Sequence, residues 1–216
     1  MKPWRLLALL LALLLALAGC ARKEEPEEEA PNPVATIVVE DIGQMKIELY
    51  PKIAPNTVNN FIQLANGGFY DGREIFRVVS NVLIQTGDPN DNGTGDPGYY
   101  IKGEFSENGF ANGLSHVRGT ISMARKSDYD TGGSQFFIME GSYPEYDGFY
   151  AAFGAIADTA SLDTLDKIGS RPVDGSYMPL DRIHIKTVRV ETFEVEYPKP
   201  ETLDKDEIDA RKDKKK

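Results

Sequence analysis

The chain has 216 residues, of which 34 are acidic and 24 are basic, giving a formal charge of −10. A chain with this acidic surplus is not expected to bind nucleic acid through a phosphate-neutralising surface. Its single cysteine excludes an intramolecular disulfide.

The N-terminus predicts a signal peptide over residues 1–19. Lys2 and Arg5 form a positive start, and the apolar run of 13 residues that follows, Leu6–Ala18, is too short to span a bilayer comfortably. The sequence Leu17-Ala18-Gly19-Cys20 resembles a bacterial lipobox, in which the cysteine is lipidated and becomes the mature N-terminus. The resemblance implies lipidation at Cys20, whose two acyl chains would anchor the protein stably. An ordinary cleaved signal peptide with an incidental cysteine is the alternative.

The next segment, residues 20–33, is predicted to be an acidic, proline-rich tether. It carries five glutamates and three prolines and has almost nothing to bury, so it would be extended and self-repelling. Because Lys2 and Arg5 leave with the signal peptide, the remaining chain has 22 basic and 34 acidic residues, a formal charge of −12. Anionic headgroups repel such a chain, so the lipid, not a basic patch, would hold it at the membrane.

A folded domain is predicted over residues 34–197, and it begins with a β-hairpin. Two strand-like runs, Thr36–Glu40 and Met45–Leu49, flank Asp41-Ile42-Gly43. An amphipathic helix follows, with Asn56 or Thr57 as the predicted N-cap and Gly67-Gly68 at its end. Four apolar residues of this helix recur at helical spacing: Val58, Phe61, Ile62 and Ala65.

The rest of the domain is predicted to be mostly short strands. The predicted strands cover 74–79, 82–86, 119–123, 135–139, 151–156 and 182–192, and a short helix covers Ser161–Ile168. Many short strands with two helices favour an antiparallel barrel or a sandwich with helical caps, and the pattern alone leaves both open. Residues 198–216 are dense in both charge signs and are predicted to be a disordered, solvated tail.

Two segments of the domain carry polar side chains among residues that otherwise have the pattern of buried strands. Phe76–Asp88 contains Arg77 and Gln85, and Gly132–Ile138 contains Gln135. Lone polar groups are costly in such places unless they have partners. Both segments resemble the signature strands of the cyclophilin-type peptidyl-prolyl isomerases. The resemblance runs from about residue 34 to about residue 193, and it implies a mainly β fold: a closed eight-stranded antiparallel β-barrel capped by two α-helices.

The resemblance also implies an enzyme, a peptidyl-prolyl cis-trans isomerase acting on the Xaa–Pro bonds of exported proteins outside the cytoplasmic membrane. The barrier to rotation about the peptide bond is roughly 18–20 kcal/mol. No bond is made or broken, so no nucleophile, metal or cofactor is needed. A fixed hydrogen-bond donor near the prolyl nitrogen would stabilise the twisted amide selectively. The expected partners are proline-containing polypeptides, and nothing in the sequence predicts an oligomer.

Residue by residue, the resemblance assigns the donor role to Arg77, and Gln85 would orient its guanidinium. Phe137 would form the base of the proline pocket, and Leu83 and Val82 its walls. Ala124 and Arg125 are expected to bind the residue preceding proline, largely through their backbone groups. Three further substrate-binding residues are expected around the pocket: Gln135, Tyr146 and Tyr150. His116 and His184 have no metal-ligand spacing around them and are expected to be ordinary polar residues of a loop and a strand.

Two departures from the family pattern support a different class of function. Val82 stands where an aromatic residue is usual, and Glu145 stands where many members have tryptophan. A proline-peptide binding module or chaperone with weak catalysis is therefore the main alternative. A solute-binding lipoprotein is a third possibility, but such proteins usually need a larger, two-lobed body than this domain of about 160 residues.

Overall fold

The computed structural model describes residues 30–213. The predictions for the signal peptide, for Cys20 and for most of the tether fall outside these residues. No helix within the described range is both long and apolar enough to cross a membrane.

Eight antiparallel strands form one sheet, as the family resemblance implies. The strands are β1 (Val34–Val39), β2 (Gly43–Leu49), β3 (Arg77–Val79), β4 (Leu83–Thr86), β5 (Thr120–Met123), β6 (Phe136–Met139), β7 (Ala151–Ile156) and β8 (Ile185–Glu191). Their order across the sheet is β3-β4-β6-β5-β7-β2-β1-β8. Strands β1 and β2 pair as the predicted hairpin, with Val39 opposite Gly43.

The predicted closed barrel is wrong, because the sheet is open and β3 and β8 are its edges. Just before these strands, Glu74 and His184 form an isolated bridge, and Ile75 N donates to Ile183 O at 2.9 Å. The contact does not extend into a ladder along β3. Val78 N of β3 donates instead to Tyr177 O, at 2.9 Å, in the loop that precedes β8. This loop therefore occupies the edge that a closing strand would need.

Three α-helices accompany the sheet in the described residues: α1 (Pro55–Asn66), α2 (Thr159–Gly169) and α3 (Lys205–Asp213). The N-cap of α1 is Ala54, not Asn56 or Thr57 as the sequence predicted, and Pro55 occupies the first turn. The Glu104 carboxylate caps the helix instead. It accepts the backbone N–H groups of Asn56 and Thr57 at 3.0 and 2.8 Å. A cap supplied from 47 residues away has no local sequence signal.

The main core lies between α1 and the sheet and is centred on aromatic side chains. Phe61 of α1 packs against Tyr70, Phe136 and Phe153, with ring centroids 5.3–5.4 Å apart. All four side chains are fully buried. Because successive strand residues point to opposite faces, burying Phe136 in this core turns Phe137 toward the other face of β6.

The C-terminal segment, residues 198–213, differs from the predicted solvated tail. Leu203 and Tyr100 exchange two backbone hydrogen bonds, of 3.2 and 2.7 Å. The side-chain amide of Asn56 forms two hydrogen bonds with the backbone of Glu201, donating to its carbonyl at 2.9 Å and accepting from its N–H at 2.8 Å. Ile208 of α3 is only 1% exposed. Backbone pairing at Leu203 and burial of Ile208 thus dock a segment whose overall composition predicted solvation.

Gly154 of β7 provides a test of the sheet's packing. A Cβ atom there would overlap the Glu48 carbonyl oxygen of the neighbouring β2. Gly154→Ala is expected to lower the free energy of unfolding by about 1–3 kcal/mol, because backbone must move to accept it. Gly113→Ala is the matched control, since an added Cβ meets nothing within 4 Å there. Urea unfolding of the two variants compares them, and equal stabilities would contradict the packing described.

Candidate functional site

One transverse row of paired residues places three of the predicted site side chains on one face of the sheet. Arg77 of β3 pairs with Gln85 of β4, Gln85 pairs with Phe137 of β6, and Phe137 pairs with Ser122 of β5. Directly opposed residues of antiparallel strands project from the same face. The sheet register therefore brings Phe137 beside Arg77 and Gln85, although Phe137 is far from both in the chain.

A chain of side-chain hydrogen bonds runs along the polar part of this face. Arg77 Nη1 donates to Gln85 Oε1 at 3.0 Å, and Gln85 Nε2 donates to Gln135 Oε1 at 3.0 Å. Gln135 Nε2 in turn donates to the Gly95 carbonyl at 2.9 Å. Each amide thus receives one bond and gives another, which fixes the orientation of both glutamines and of the guanidinium.

The loop that supplies the Gly95 carbonyl is organised by a buried carboxylate. Asp88 is fully buried and accepts backbone N–H groups of four residues: Asn90, Asn92, Gly93 and Gly95. These donors satisfy the carboxylate within the loop. In the described part of the chain, no group of three or more histidine, cysteine, aspartate or glutamate side chains could hold a metal ion.

A second apolar cluster, separate from the main core, lies beside the hydrogen-bonded chain. Its buried members are Leu83, Phe137 and Met139. Half-buried side chains surround them: Val79, Val82, Ala124, Tyr143, Tyr146 and Tyr150. Every apolar or aromatic residue predicted to bind substrate is therefore in one cluster, and its half-buried rim leaves apolar surface open to a ligand.

Phe137 forms the floor of this cluster, and two tyrosines form its aromatic walls. The Tyr150 ring is 5.4 Å from the Phe137 ring and the Tyr146 ring is 6.0 Å from it, both edge-on. Burial raises the pKa of Tyr146. The neighbouring Tyr150 also raises this pKa, while the positive charge of Arg77 lowers it. The guanidinium is therefore close enough to act on the apolar cluster electrostatically.

The Arg125 side chain packs against aromatic rings and bonds to a nearby carbonyl. Its guanidinium carbon lies 4.8 Å from the ring centroids of both Tyr129 and Tyr150. Its Nε donates to the Phe149 carbonyl at 2.9 Å. The side chain thus braces the wall that Tyr150 forms. The preceding Ala124 N–H is also occupied, since it donates to the Gln135 carbonyl at 2.9 Å.

His116 is a site residue that the sequence analysis did not identify. Its imidazole is buried and stacks on Phe137 with ring centroids 5.9 Å apart and an angle of 23° between the rings. Its Nδ1 is 2.9 Å from Asp147 Oδ1, and its Nε2 is 2.9 Å from Ser122 Oγ. The sequence offered little sign of this role, because Asp147 lies 31 residues from His116 and no short motif contains His116, Ser122 and Asp147 together.

The partners of His116 assign its tautomer and its charge. An ionised Asp147 can only accept, so Nδ1 carries the proton and Nε2 accepts from the Ser122 hydroxyl. Burial lowers the pKa of His116 below its usual 6.5, although Asp147 partly opposes the shift. Burial raises the pKa of Asp147, but hydrogen bonds from the His116 backbone and ring outweigh that effect and leave it below 3.8.

Comparison with known proteins places these features in a family. The model of the "Cyclophilin type peptidyl-prolyl cis-trans isomerase/CLD" family matches residues 34–190. A peptidyl-prolyl cis-trans isomerase of Helicobacter pylori is 41% identical over 145 residues, which are 67% of this chain and 86% of the relative. The human peptidyl-prolyl cis-trans isomerase-like 3 is 39% identical over 152 residues, 69% of this chain and 91% of the relative.

A solved structure shows the same fold. The cyclophilin type isomerase of Cryptosporidium parvum, crystallised in the presence of the dipeptide Ala-Pro, superposes with a TM-score of 0.66 and 32% identity. The superposition covers 73% of this chain and 98% of the Cryptosporidium chain.

The neutral state of His116 predicts a pH dependence of stability. A histidine whose pKa is lowered by folding contributes stability that is complete above pH 6.5 and is lost as pH falls through the lower, folded value. Below pH 6.5 the free energy of unfolding should therefore fall by up to about 1.4 kcal/mol per pH unit, the slope for one proton. His116→Gln removes this contribution, and His184→Gln is the control that retains it. Urea unfolding at pH 7.5 and 5.5 measures the difference, and an unchanged slope in His116→Gln would refute the assignment.

Proposed function

This chain belongs to the family of cyclophilin type peptidyl-prolyl cis-trans isomerases, and we propose that it isomerises Xaa–Pro bonds of exported proteins from a lipid anchor. The isomerase activity follows from the family. The observation that carries the assignment of its site is the hydrogen-bonded chain from Arg77 through Gln85 to Gln135, which flanks the open apolar cluster.

Rate acceleration requires selective stabilisation of the twisted amide. Uncatalysed Xaa–Pro rotation takes tens to hundreds of seconds, so a millisecond step requires a barrier that is lower by roughly 5–7 kcal/mol. In the twisted state the prolyl nitrogen recovers its lone pair and becomes a hydrogen-bond acceptor. Arg77 supplies permanently charged N–H donors next to the apolar cluster, and these donors interact more strongly with the twisted amide than with the planar one.

The two glutamines contribute by holding Arg77 in place before substrate arrives. Gln85 occupies one guanidinium nitrogen, Nη1, and is itself held by Gln135. The other guanidinium nitrogens remain available to substrate. A donor that is already oriented needs little reorganisation in the transition state, which is where electrostatic catalysis gains most.

The proline ring is proposed to bind in the apolar cluster, on Phe137 and between Leu83 and Val82. The cluster has a buried floor and half-buried walls, as a site for a compact apolar ring requires. The related Cryptosporidium isomerase was crystallised with an Ala-Pro dipeptide, which is the ligand class expected here. Tyr146 and Tyr150 would limit the depth of the pocket and contact the flanking residues of the substrate.

The proposal of an exported, membrane-anchored enzyme is based on the N-terminal sequence. The positive start, the short apolar run and the lone Cys20 have the order of a lipoprotein signal. The formal charge of −12 that remains after removal of residues 1–19 argues against attachment through a basic surface. The clients would then be proteins that fold outside the cytoplasmic membrane.

A proline-peptide binding module with little catalysis is the second candidate. Val82 is half-buried in the cluster and Glu145 is exposed on a one-turn 3₁₀ helix, so neither supplies the aromatic surface usual in the family. A shallower pocket holds the ring less tightly. The intact chain from Arg77 to Gln135 favours the enzyme, because binding alone does not require an oriented cation at this place.

Replacing Arg77 tests the catalytic role. Arg77→Ala is expected to reduce the catalysed exchange rate by about 10²–10³-fold, the cost of losing one preorganised donor. Cis/trans exchange in an Ala-Ala-Pro-Phe peptide, followed by NMR with the full chain, measures it without a coupling protease. Arg118→Ala is the matched control, since Arg118 forms an exposed ion pair with Asp166 and is expected to leave the rate unchanged. If the wild type binds the peptide but leaves exchange at the background rate, the binding module is the better assignment.

Replacing Cys20 tests the membrane anchor. In a bacterial host that processes lipoproteins, the wild-type chain should fractionate with membranes and show the mass of a diacylated chain that begins at Cys20. Cys20→Ala should lose the lipid mass and most of the membrane association, because no other acylation site remains. Ala30→Ser, in the tether, is the control that keeps both. A wild-type protein that is cleaved but carries no lipid would support the ordinary signal peptide instead.

A further inference from the structure

A cavity of about 100 Å³ adjoins the proposed catalytic face on the side of β5 and β6. Gln85, Gln135 and Ala124 line it, and all three also belong to the hydrogen-bonded chain or to the apolar cluster. Ser134 lines it as well, and its buried Oγ has no hydrogen-bond partner among the residues described. A peptide whose proline ring occupies the cluster, with the preceding residue along Ala124, would direct its next residue toward this cavity.

Three charged residues line the cavity: Asp96, Arg125 and Lys126. The Asp209 carboxylate of α3 contacts the same wall through the Tyr100 hydroxyl. Asp96 is only 9% exposed and forms ion pairs with two lysines, Lys126 at 3.4 Å and Lys205 at 2.7 Å. Burial raises the pKa of Asp96, but the hydrogen bond from Lys205 and other bonds outweigh it and keep the carboxyl ionised. The more closely bound cation, Lys205, does not line the cavity and comes from α3 in the C-terminal segment.

The C-terminal segment holds Lys205 in register through contacts with the same wall. Leu203 pairs with the backbone of Tyr100, a residue that lines the cavity. The Tyr100 hydroxyl is within 3.3 Å of the Asp209 carboxylate and also accepts a hydrogen bond from Lys126. The family model ends at residue 190, so this segment lies outside the part of the chain that the family shares.

We infer that the C-terminal segment is a specificity element of the isomerase, in which Lys205 compensates Asp96 and leaves the cavity wall with a surplus positive charge that favours acidic substrate side chains. With Lys205 in place, three cations (Arg125, Lys126 and Lys205) stand against two carboxylates (Asp96 and Asp209), so the wall carries one surplus positive charge. Without Lys205 the charges balance, and the preference for an acidic residue two positions before proline is lost. The inference rests on the proposed site, in which the substrate extends past Ala124.

A series of peptides Xaa-Ala-Pro-Phe, with Glu, Ala or Lys at Xaa, tests the inference on the full chain. The measured quantity is the ratio of catalysed exchange rates for the Glu and Lys peptides. Lys205→Gln is expected to lower this ratio by about two- to fivefold at low salt, the effect of one partly exposed charge at close range. The difference should shrink in 0.5 M salt, where the Debye length is only about 4 Å.

Lys199→Gln is the matched control, since it removes the same charge from an exposed position of the same segment. It should leave the ratio unchanged, and Lys205→Arg should restore it. An unchanged ratio in Lys205→Gln, or an equal shift in Lys199→Gln, overturns the inference. A wild-type chain that leaves the Ala peptide at the background rate overturns the proposed site instead.

Discussion

The transverse row of Arg77, Gln85, Phe137 and Ser122 is the constraint on which the site depends. Because antiparallel register and pleat determine which residues share a face, a one-residue slip of β4 or β6 would move the site side chains into the main core. Phe136 opposes that slip, since its ring is fully buried against Phe61 of α1. The energy that stabilises the fold and the geometry that positions the site therefore come from alternate residues of the same strand.

A buried polar network ends this row on the side away from Arg77. His116 bridges Ser122 and Asp147 through its two ring nitrogens, so the burial of His116 beneath Phe137 leaves no polar atom of the imidazole without a partner. The arrangement makes the floor of the apolar cluster rigid, because the ring that supports Phe137 is held at both nitrogens. It also couples the stability of that floor to the protonation of one histidine.

Particular residues show where sequence reasoning succeeded and where it did not. The strands, the β1–β2 hairpin and the set of polar residues Arg77, Gln85 and Gln135 were predictable, because alternation and local motifs carry that information. The N-cap of α1, the open edge of β3 and the role of His116 were not. Each depends on a partner far along the chain: Glu104 for the cap, Tyr177 for the edge and Asp147 for the histidine.

The family, the isomerase chemistry, the mainly β fold and the residue types of the site could be read from the amino-acid sequence, since these follow from local patterns and short motifs. The open sheet and the packing of Phe137 beneath the tyrosines depend on contacts between distant residues and became visible in the folded chain. The docking of the charged C-terminal segment, with Ile208 buried and Lys205 on Asp96, depends on such contacts too. Composition averages over such a segment, whereas docking depends on a few apolar and charged contacts at fixed positions in space.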